Sequence, residues 1–355
     1  SILGLSAAHV LVGGYQKHTQ SPGKGRTNDN VVGYPFMPVY MAKAGGFFFI
    51  VFGITVFLSG VATINPIWAY GPYVPDQITA GSQPDWYMGW LEGALRAMPN
   101  WETTLWGHTI SWNVLIPGAV VLGVIINLML IYPWLEAKVT GDKKEHHLLD
   151  RPRNAPTRTA LGVMSLTFYM MLLIGGGNDI IASQFNLSIN AITWAIRIGI
   201  FILPPISFVI TKRICLSLQR SDRDKLLHGR ETGSIMRLPE GAFVEVHAPL
   251  SDNEKAVILS KNDITPLPWP EKVDANGVKD PNFKKDHRWA RLSHWFFSDN
   301  VPKPTAAELA EAEAHIRHSA AEGAPVIAHR EQLEPEGGVL HDPSAVEADK
   351  EPITK

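Results

Sequence analysis

In this 355-residue chain an acid and a phenol stand beside aromatic surface at Pro84-Asp85-Trp86-Tyr87, and a second acid, Glu92, follows seven residues after Asp85. Seven residues make about two helical turns if the stretch is helical. A carboxylate in such surroundings can accept a proton at a lipid-facing pocket. An Asp at a solvated corner of a turn is the plainer account of the same residues, and their types alone leave both open. His9 is the other residue with chemistry to offer. It lies eight residues before Lys17, hence about 12 Å into a membrane from the interface that a lysine marks. An imidazole at that depth either hydrogen-bonds to a neighbouring helix or ligates haem iron through a neutral ring nitrogen. One histidine provides one axial ligand, so a bis-histidine site would take its second from outside this sequence.

Other features carry less. His146-His147 sits in a basic loop with no residue spacing that supports a metal site. Arg197, inside an apolar stretch, is by default a functional candidate; snorkelling to an interface or pairing with Asp179 is its structural alternative. Gly175-Gly176-Gly177 ends an apolar run and lacks the Lys-Ser/Thr of a phosphate loop. Cys215 is the only cysteine, which excludes disulfides and cysteine-held zinc or iron-sulfur centres within these residues.

The elements that must position these groups are apolar helices. A mean hydropathy of +0.00 averages two unlike parts. Up to residue 211 there are 12 Lys/Arg and 10 Asp/Glu; from residue 212 there are 20 and 24. Soluble domains carry about 25% charged residues, so the first part is depleted and a single uniform globular domain is excluded. A formal charge of −2 leaves no basic excess to track phosphates, and nucleic acid is not an expected partner. Residues 45–64 form a 20-residue apolar run of bilayer length. Uncharged stretches predict further spans at 112–133 and 159–178, and a fourth at 190–211, interrupted by Arg197 and by a kink at Pro204-Pro205. Residues 1–15 are apolar but reach only about 22 Å as a helix, short of a core of about 30 Å. Without a basic n-region or a cleavage site they are a poor secretory signal, and read as the end of a fifth helix that begins before this sequence.

Charge in the connections sets an orientation. Segment 16–44 carries Lys17, Lys24, Arg26 and Lys43, segment 134–158 six basic residues, and a basic stretch follows residue 211; segment 65–111 has only Arg96 against Asp76, Asp85, Glu92 and Glu102. The positive-inside bias then puts 16–44, 134–158 and the C-terminal extension in the cytoplasm and 65–111 outside. That outer loop is longer than a connection requires, and an aromatic belt accounts for some of its tryptophans. Residues 212–300 read as a partly folded cytoplasmic extension with one short strand at 241–249. Residues 301–355 read as a polar, disordered tail with a possible helix at 305–321, opened by the capping pair Thr305 and Glu308. The fold class is thus an all-α polytopic transmembrane bundle, the end of one helix plus four spans, with a cytoplasmic C-terminal extension.

Several segments together, HTQSPGKGRTNDNVVGYP (18–35), INPIWAYGPY (64–73), QPDWYMG (83–89), EAKVTGDKKEHHLLDRPRNAPTRTA (136–160) and RICLSLQRSDRDKLLHGRETG (213–233), resemble, in order, the cytochrome b subunit of actinobacterial menaquinol:cytochrome c oxidoreductases. The chain is similar to the C-terminal portion of that subunit. Pro84 to Tyr87 resembles the family's PEWY motif with Asp85 in place of glutamate. The resemblance implies that Asp85 accepts a quinol proton, that Tyr87 and Glu92 line the pocket or aid proton exit, and that Pro84 and Trp86 belong to the quinol-oxidation pocket. It makes His9 an axial ligand of the haem b nearer the cytoplasm. It places His18 and Lys43 near a quinone-reduction site, where Ala44 replaces an acid that often follows the lysine. Implied cofactors are haem b and menaquinol/menaquinone. Implied partners are the N-terminal part of cytochrome b, a Rieske iron-sulfur protein, a cytochrome c subunit, a terminal oxidase in a supercomplex, and lipid, in a dimeric complex of the bacterial plasma membrane. The different-class alternatives are a transporter or channel subunit with its path at Arg197, and a structural membrane anchor.

Overall fold

The computed structural model describes residues 2–30, 33, 35–62, 83–237, 241, 243–262, 264–273, 277–321 and 326–327. Segment 64–73, with Trp68, and nearly all of the chain after 321 lie outside the described residues. The helices are α1 (Ile2–Gln16), α2 (Met41–Val61), α3 (Gly89–Ala97), α4 (Trp112–Thr140), α5 (Pro156–Gly176), α6 (Asn178–Phe185), α7 (Ile189–His228), α8 (Asp252–Leu259), α9 (Phe283–Phe296) and α10 (Ala306–Ala321). Four of them, α2 with its preceding turn from Phe36, α4, α5 and α7, are long and apolar enough to cross a membrane. The fold is mostly helical, as an all-α bundle requires, and the two sheets among the described residues are small.

Local chemistry explains the helix ends. Pro156 occupies the first turn of α5, where its missing N–H costs nothing. Gly141 closes α4 in the left-handed region (φ 73°), its N–H donating to Ala137 O at 3.0 Å. α1 and α2 bury no residue. A helix apolar on every side, such as α2, needs lipid or neighbouring helices around it rather than water.

Three sequence expectations change. α4 runs seven residues past 133, because Glu136 and Arg158 of α5 pair and carry the two helices beyond the apolar band together. α7 is one continuous 40-residue helix that carries Pro204 and Pro205 inside it and runs on past 211 to His228. Its polar end is held by Asp222, buried against Arg151 (2.8 Å) and Arg153 (2.9 Å). The strand near 241–249 is not single: β4 (Phe243–Ala248) lies between β3 (Arg230–Arg237) and β5 (Val326–Ile327), all antiparallel. A lone strand leaves its backbone groups unpaired, so partners are obligatory.

The chain forms two compact units, Ser1–Arg223 with Ser251–Pro304, and Asp224–Leu250 with Thr305–Lys355. The second holds the β3–β4–β5 sheet and α10, whose start is capped reciprocally by Thr305 and Glu308. In the first, segments 16–44 and 134–158 meet: Gln20 bonds His147 O and Leu149 N–H, and Asn28 Oδ1 accepts the N–H groups of His147 and Leu148. The same unit carries the hairpin β1 (Glu102–Leu105) and β2 (His108–Ser111). Trp106 and Gly107 turn its corner at positive φ, the conformation of a two-residue hairpin loop.

The core that positions the candidate site is the crossing of α3 on α5. Trp90 and Ala94 pack on Leu172, with Phe168, Tyr169 and Leu173 around them. Four glycines bring the backbones together. A Cβ on Gly93 would stand 1.7 Å from Leu172 O, and one on Gly176 would stand 2.2 Å from Gly89 O. Gly175 and Gly176 of the triple glycine thus serve close helix approach. Gly93→Ala is expected to destabilise the protein by about 1–3 kcal/mol or more by forcing the helices apart. Gly162→Ala, with nothing within 4 Å of the new carbon, should not. Thermal unfolding of the detergent-purified protein reads the difference.

Candidate functional site

The α3–α5 crossing leaves a cavity of about 360 Å³, inside the ~300–1,000 Å³ range of small-molecule sites. Its wall is apolar where α5 and α6 contribute Met170, Leu173, Ile174, Ile180 and Ile181, and Pro84, Trp86 and Glu92 are among the residues that line the rest, with Ala62 and Gln83. Pro84 and Trp86 sit in the entry to α3, where residues 86–88 form a single 3₁₀ turn with Asp85 at its N-cap position. Asp85 does not cap that turn with its side chain. It instead accepts a hydrogen bond from Tyr87 Oη at 2.9 Å, and both side chains are exposed, outside the cavity lining. This hydrogen bond, with the carboxylate charge behind it, raises the Tyr87 hydroxyl above its ordinary 10.0.

Glu92 is placed differently. It lies in the first turn of α3 and one oxygen pairs with Arg96 one turn on, while Oε2 is buried and has no partner among the described residues. A buried carboxylate oxygen without a donor can accept a hydrogen bond from a hydroxyl group that enters the cavity. Around it runs a polar cluster. Arg96 Nη1 lies 2.7 Å from Asp179 Oδ1 and 2.7 Å from Asn178 Oδ1, Arg96 Nη2 is 3.3 Å from Gln83 Oε1, and Gln83 Nε2 donates to Asp179 Oδ2 at 2.8 Å. Burial acts against the charge on Arg96, but Asp179 and Glu92 outweigh it and hold the guanidinium above its ordinary value. Burial acts likewise on Asp179, yet Arg96, the Ile180 N–H and Gln83 keep its carboxyl below the ordinary 3.8.

Four residues of this cluster, Gln83, Arg96, Asn178 and Asp179, are not candidates by sequence motif. One signal was available, since Arg96 is the sole basic residue among the acids of segment 65–111. Arg197 does not pair with Asp179: Arg96 occupies that acid, and Arg197 donates from Nε to Ala97 O at 2.7 Å, its guanidinium 5.0 Å from the Trp194 ring centre. It caps the last turn of α3, where a cation suits the helix dipole.

The remaining sequence candidates lie elsewhere. His9 is exposed midway along α1, with no hydrogen bond to its ring among the described residues. A free imidazole on an apolar helix face has the donor chemistry that would hold a haem iron. His18 follows α1, and Lys43 is the third residue of α2; both are exposed. His146 engages Asp142 at 2.6 Å. No group of three or more metal-ligating side chains occurs among the described residues.

Comparison with known proteins gives one consistent pattern. Residues 1–72 match the family model described as cytochrome b (N-terminal)/b6/petB. Over 312 residues the chain is 53% identical to the cytochrome bc1 complex cytochrome b subunit of Streptomyces coelicolor, covering 87% of this chain and 57% of that one. It is 53% identical over 318 residues to the subunit of the same name from Corynebacterium efficiens (89% and 56%). With that of Mycobacterium tuberculosis it is 51% identical over 249 residues (70% and 45%). The chain spans about half the length of the curated relatives it matches.

Two titrations check this geometry. Asp85→Asn should return the Tyr87 hydroxyl towards 10.0, seen by ultraviolet difference titration against Tyr87→Phe. Because the Asp179 carboxyl titrates lower folded than unfolded, its tie to Arg96 is fully present above pH 3.8 and is lost as pH falls through the lower folded value. Protection of the α6 amides, taken relative to the intrinsic exchange rate at each pH, should therefore fall on acidification in the native protein and be already reduced at neutral pH in Asp179→Asn.

Proposed function

The chain belongs to the cytochrome b family, and on that premise we propose that it is the C-terminal portion of the cytochrome b subunit of a respiratory menaquinol:cytochrome c oxidoreductase, supplying most of a quinol-oxidation site. The observation that carries this is the acid-bearing apolar cavity behind Pro84-Asp85-Trp86-Tyr87. The chain is a membrane protein, with four helices fit to span.

Oxidation of a quinol releases two electrons and two protons, and a dry pocket needs a base for each proton. Glu92, on the cavity wall, takes the proton from the inner hydroxyl through its free oxygen. Asp85, outside the lining and bonded to Tyr87, passes protons from the rim to the outer water. Trp86 and the α5 side chains hold the ring and exclude water. Electrons leave singly, one to a Rieske iron-sulfur protein and one across the membrane. Haem b, held by His9 and a histidine of the preceding N-terminal part, would supply the one-electron acceptor on the cytoplasmic side. His18 and Lys43, at the end of the bundle where His9 lies, suit the binding of a second quinone for reduction. Opposite placement of the two quinone sites makes the net reaction proton-translocating. The orientation follows from the basic segments 16–44 and 134–158, which meet at one end and lie in the cytoplasm with the C-terminal extension. A cytochrome c subunit, a second copy of the complex and a terminal oxidase complete the proposed assembly. The transporter alternative loses its main support, because Arg197 is engaged at the end of α3.

In membranes containing the assembled complex, Glu92→Gln and Asp85→Asn should each slow menaquinol oxidation, Glu92→Gln by about 100-fold or more, with the haem b spectrum unchanged. Unaffected turnover in both would overturn the site. His9→Leu should remove one b-type signal from the reduced-minus-oxidised spectrum; an unaltered b-band would dispose of the ligand.

A further inference from the structure

We propose that Arg96 is a positioning residue that holds Glu92 in its proton-accepting arrangement, and that Asp179 is the counter-acid that keeps Arg96 in place without binding substrate. This rests on the quinol-oxidation reading above and adds the device that makes Glu92 usable.

The geometry is that of a bracket. Arg96 stands in the last turn of α3 and Asp179 in the first turn of α6, so their 2.7 Å pair ties together the two elements that flank the polar end of the cavity. Asn178 and Gln83 accept from the same guanidinium, and Gln83 in turn donates to Asp179. A planar guanidinium held by several acceptors has little rotational freedom left. Its remaining partner, Glu92, is thereby held through one oxygen while the other has no partner among the described residues.

The charge count makes the arrangement responsive. One permanent cation faces two carboxylates, so the cluster carries one net negative charge when both acids are ionised, and a single incoming proton neutralises it. Among the described residues, the other charged or titratable groups on α3 and at its end are Asp85 with Tyr87, and Arg197 of α7, which engages Ala97 O. Removing Arg96 takes away the cation that faces both carboxylates, and removing the Asp179 charge leaves that cation to Glu92 alone, so the two changes alter the field at Glu92 with opposite sign.

The two neighbours of one acid are therefore expected to move the pH–rate profile in opposite directions. In membranes with the assembled complex, Arg96→Gln should lower kcat/KM for a short-chain menaquinol by about 10- to 100-fold and shift the acid limb of the profile to higher pH. Asp179→Asn should shift that limb to lower pH. Arg96→Lys, which keeps the charge but not the fork, should restore the limb to its wild-type position with only partial recovery of rate. Haem b content is measured throughout. Shifts in the same direction, or none, in Asp179→Asn and Arg96→Gln would overturn the inference; Asp179→Asn decides the matter if Arg96→Gln does not assemble. Asp85→Asn and Glu92→Gln in the same host separate the two levels. If neither slows turnover, the quinol-oxidation reading fails; if they slow it while the Arg96 and Asp179 variants leave the profile unmoved, only the positioning role fails.

Discussion

Backbone contact between α3 and the end of α5 sets the geometry of everything that faces the cavity. Where a Cβ would stand 1.7 Å from a carbonyl oxygen, no side chain larger than hydrogen fits. Gly89 and Gly93 recur one turn apart on α3 and meet Gly175 and Gly176 at the close of α5. Such contact draws no special driving force from lipid, since apolar side chains are equally at home in tails and in protein. It depends on van der Waals packing at short range, which Trp90 and Leu172 extend on either side. A wider crossing would open the cavity wall and carry Arg96 away from Asp179.

The polar cluster at the end of this crossing shows how charge is tolerated beside an apolar chamber. An isolated carboxylate out of water is costly, and pairing repays the cost only with good geometry. Asp179 meets that condition, with the Arg96 fork, a side-chain amide and a backbone N–H around it. Glu92 meets it in part, and that incompleteness is the chemical opportunity. Buried polar groups that lack a partner are uncommon in native proteins. At the opposite end of the bundle Asp222 is paired with two arginines and Arg158 with two carboxylates, and those groups bind the connecting segments to the helix ends.

α1 and α2 present a different problem. Neither buries a residue, and α2 exposes Phe47, Phe48, Phe49, Phe52 and Phe57. Helices of this composition are complete only when lipid, further helices or an apolar cofactor cover them. The free imidazole of His9 on the same uncovered surface belongs with that conclusion.

The all-α spanning architecture was legible in sequence because it depends on the length and apolarity of each segment separately: twenty uncharged residues are long enough for a bilayer whatever surrounds them. The acid-aromatic stretch at 84–92 was legible for the same reason, its residues being neighbours in the chain. The unbroken course of α7 through Pro204-Pro205 was not, since local signals register the lost hydrogen bonds but not the contacts that hold the helix on either side. Nor was the division between Asp85 and Glu92, which rests on which of two nearby carboxylates turns to the cavity. The pairing of Arg96 with Asp179 joins residues 83 positions apart, and only the crossing of α3 on α5 brings them within hydrogen-bonding reach. Sequence by itself determined which segments leave water and which side chains can carry a proton. Tertiary structure decided which acid faces the cavity and which cation holds it, because burial and a 2.7 Å contact are properties of the packed helices and of no segment alone.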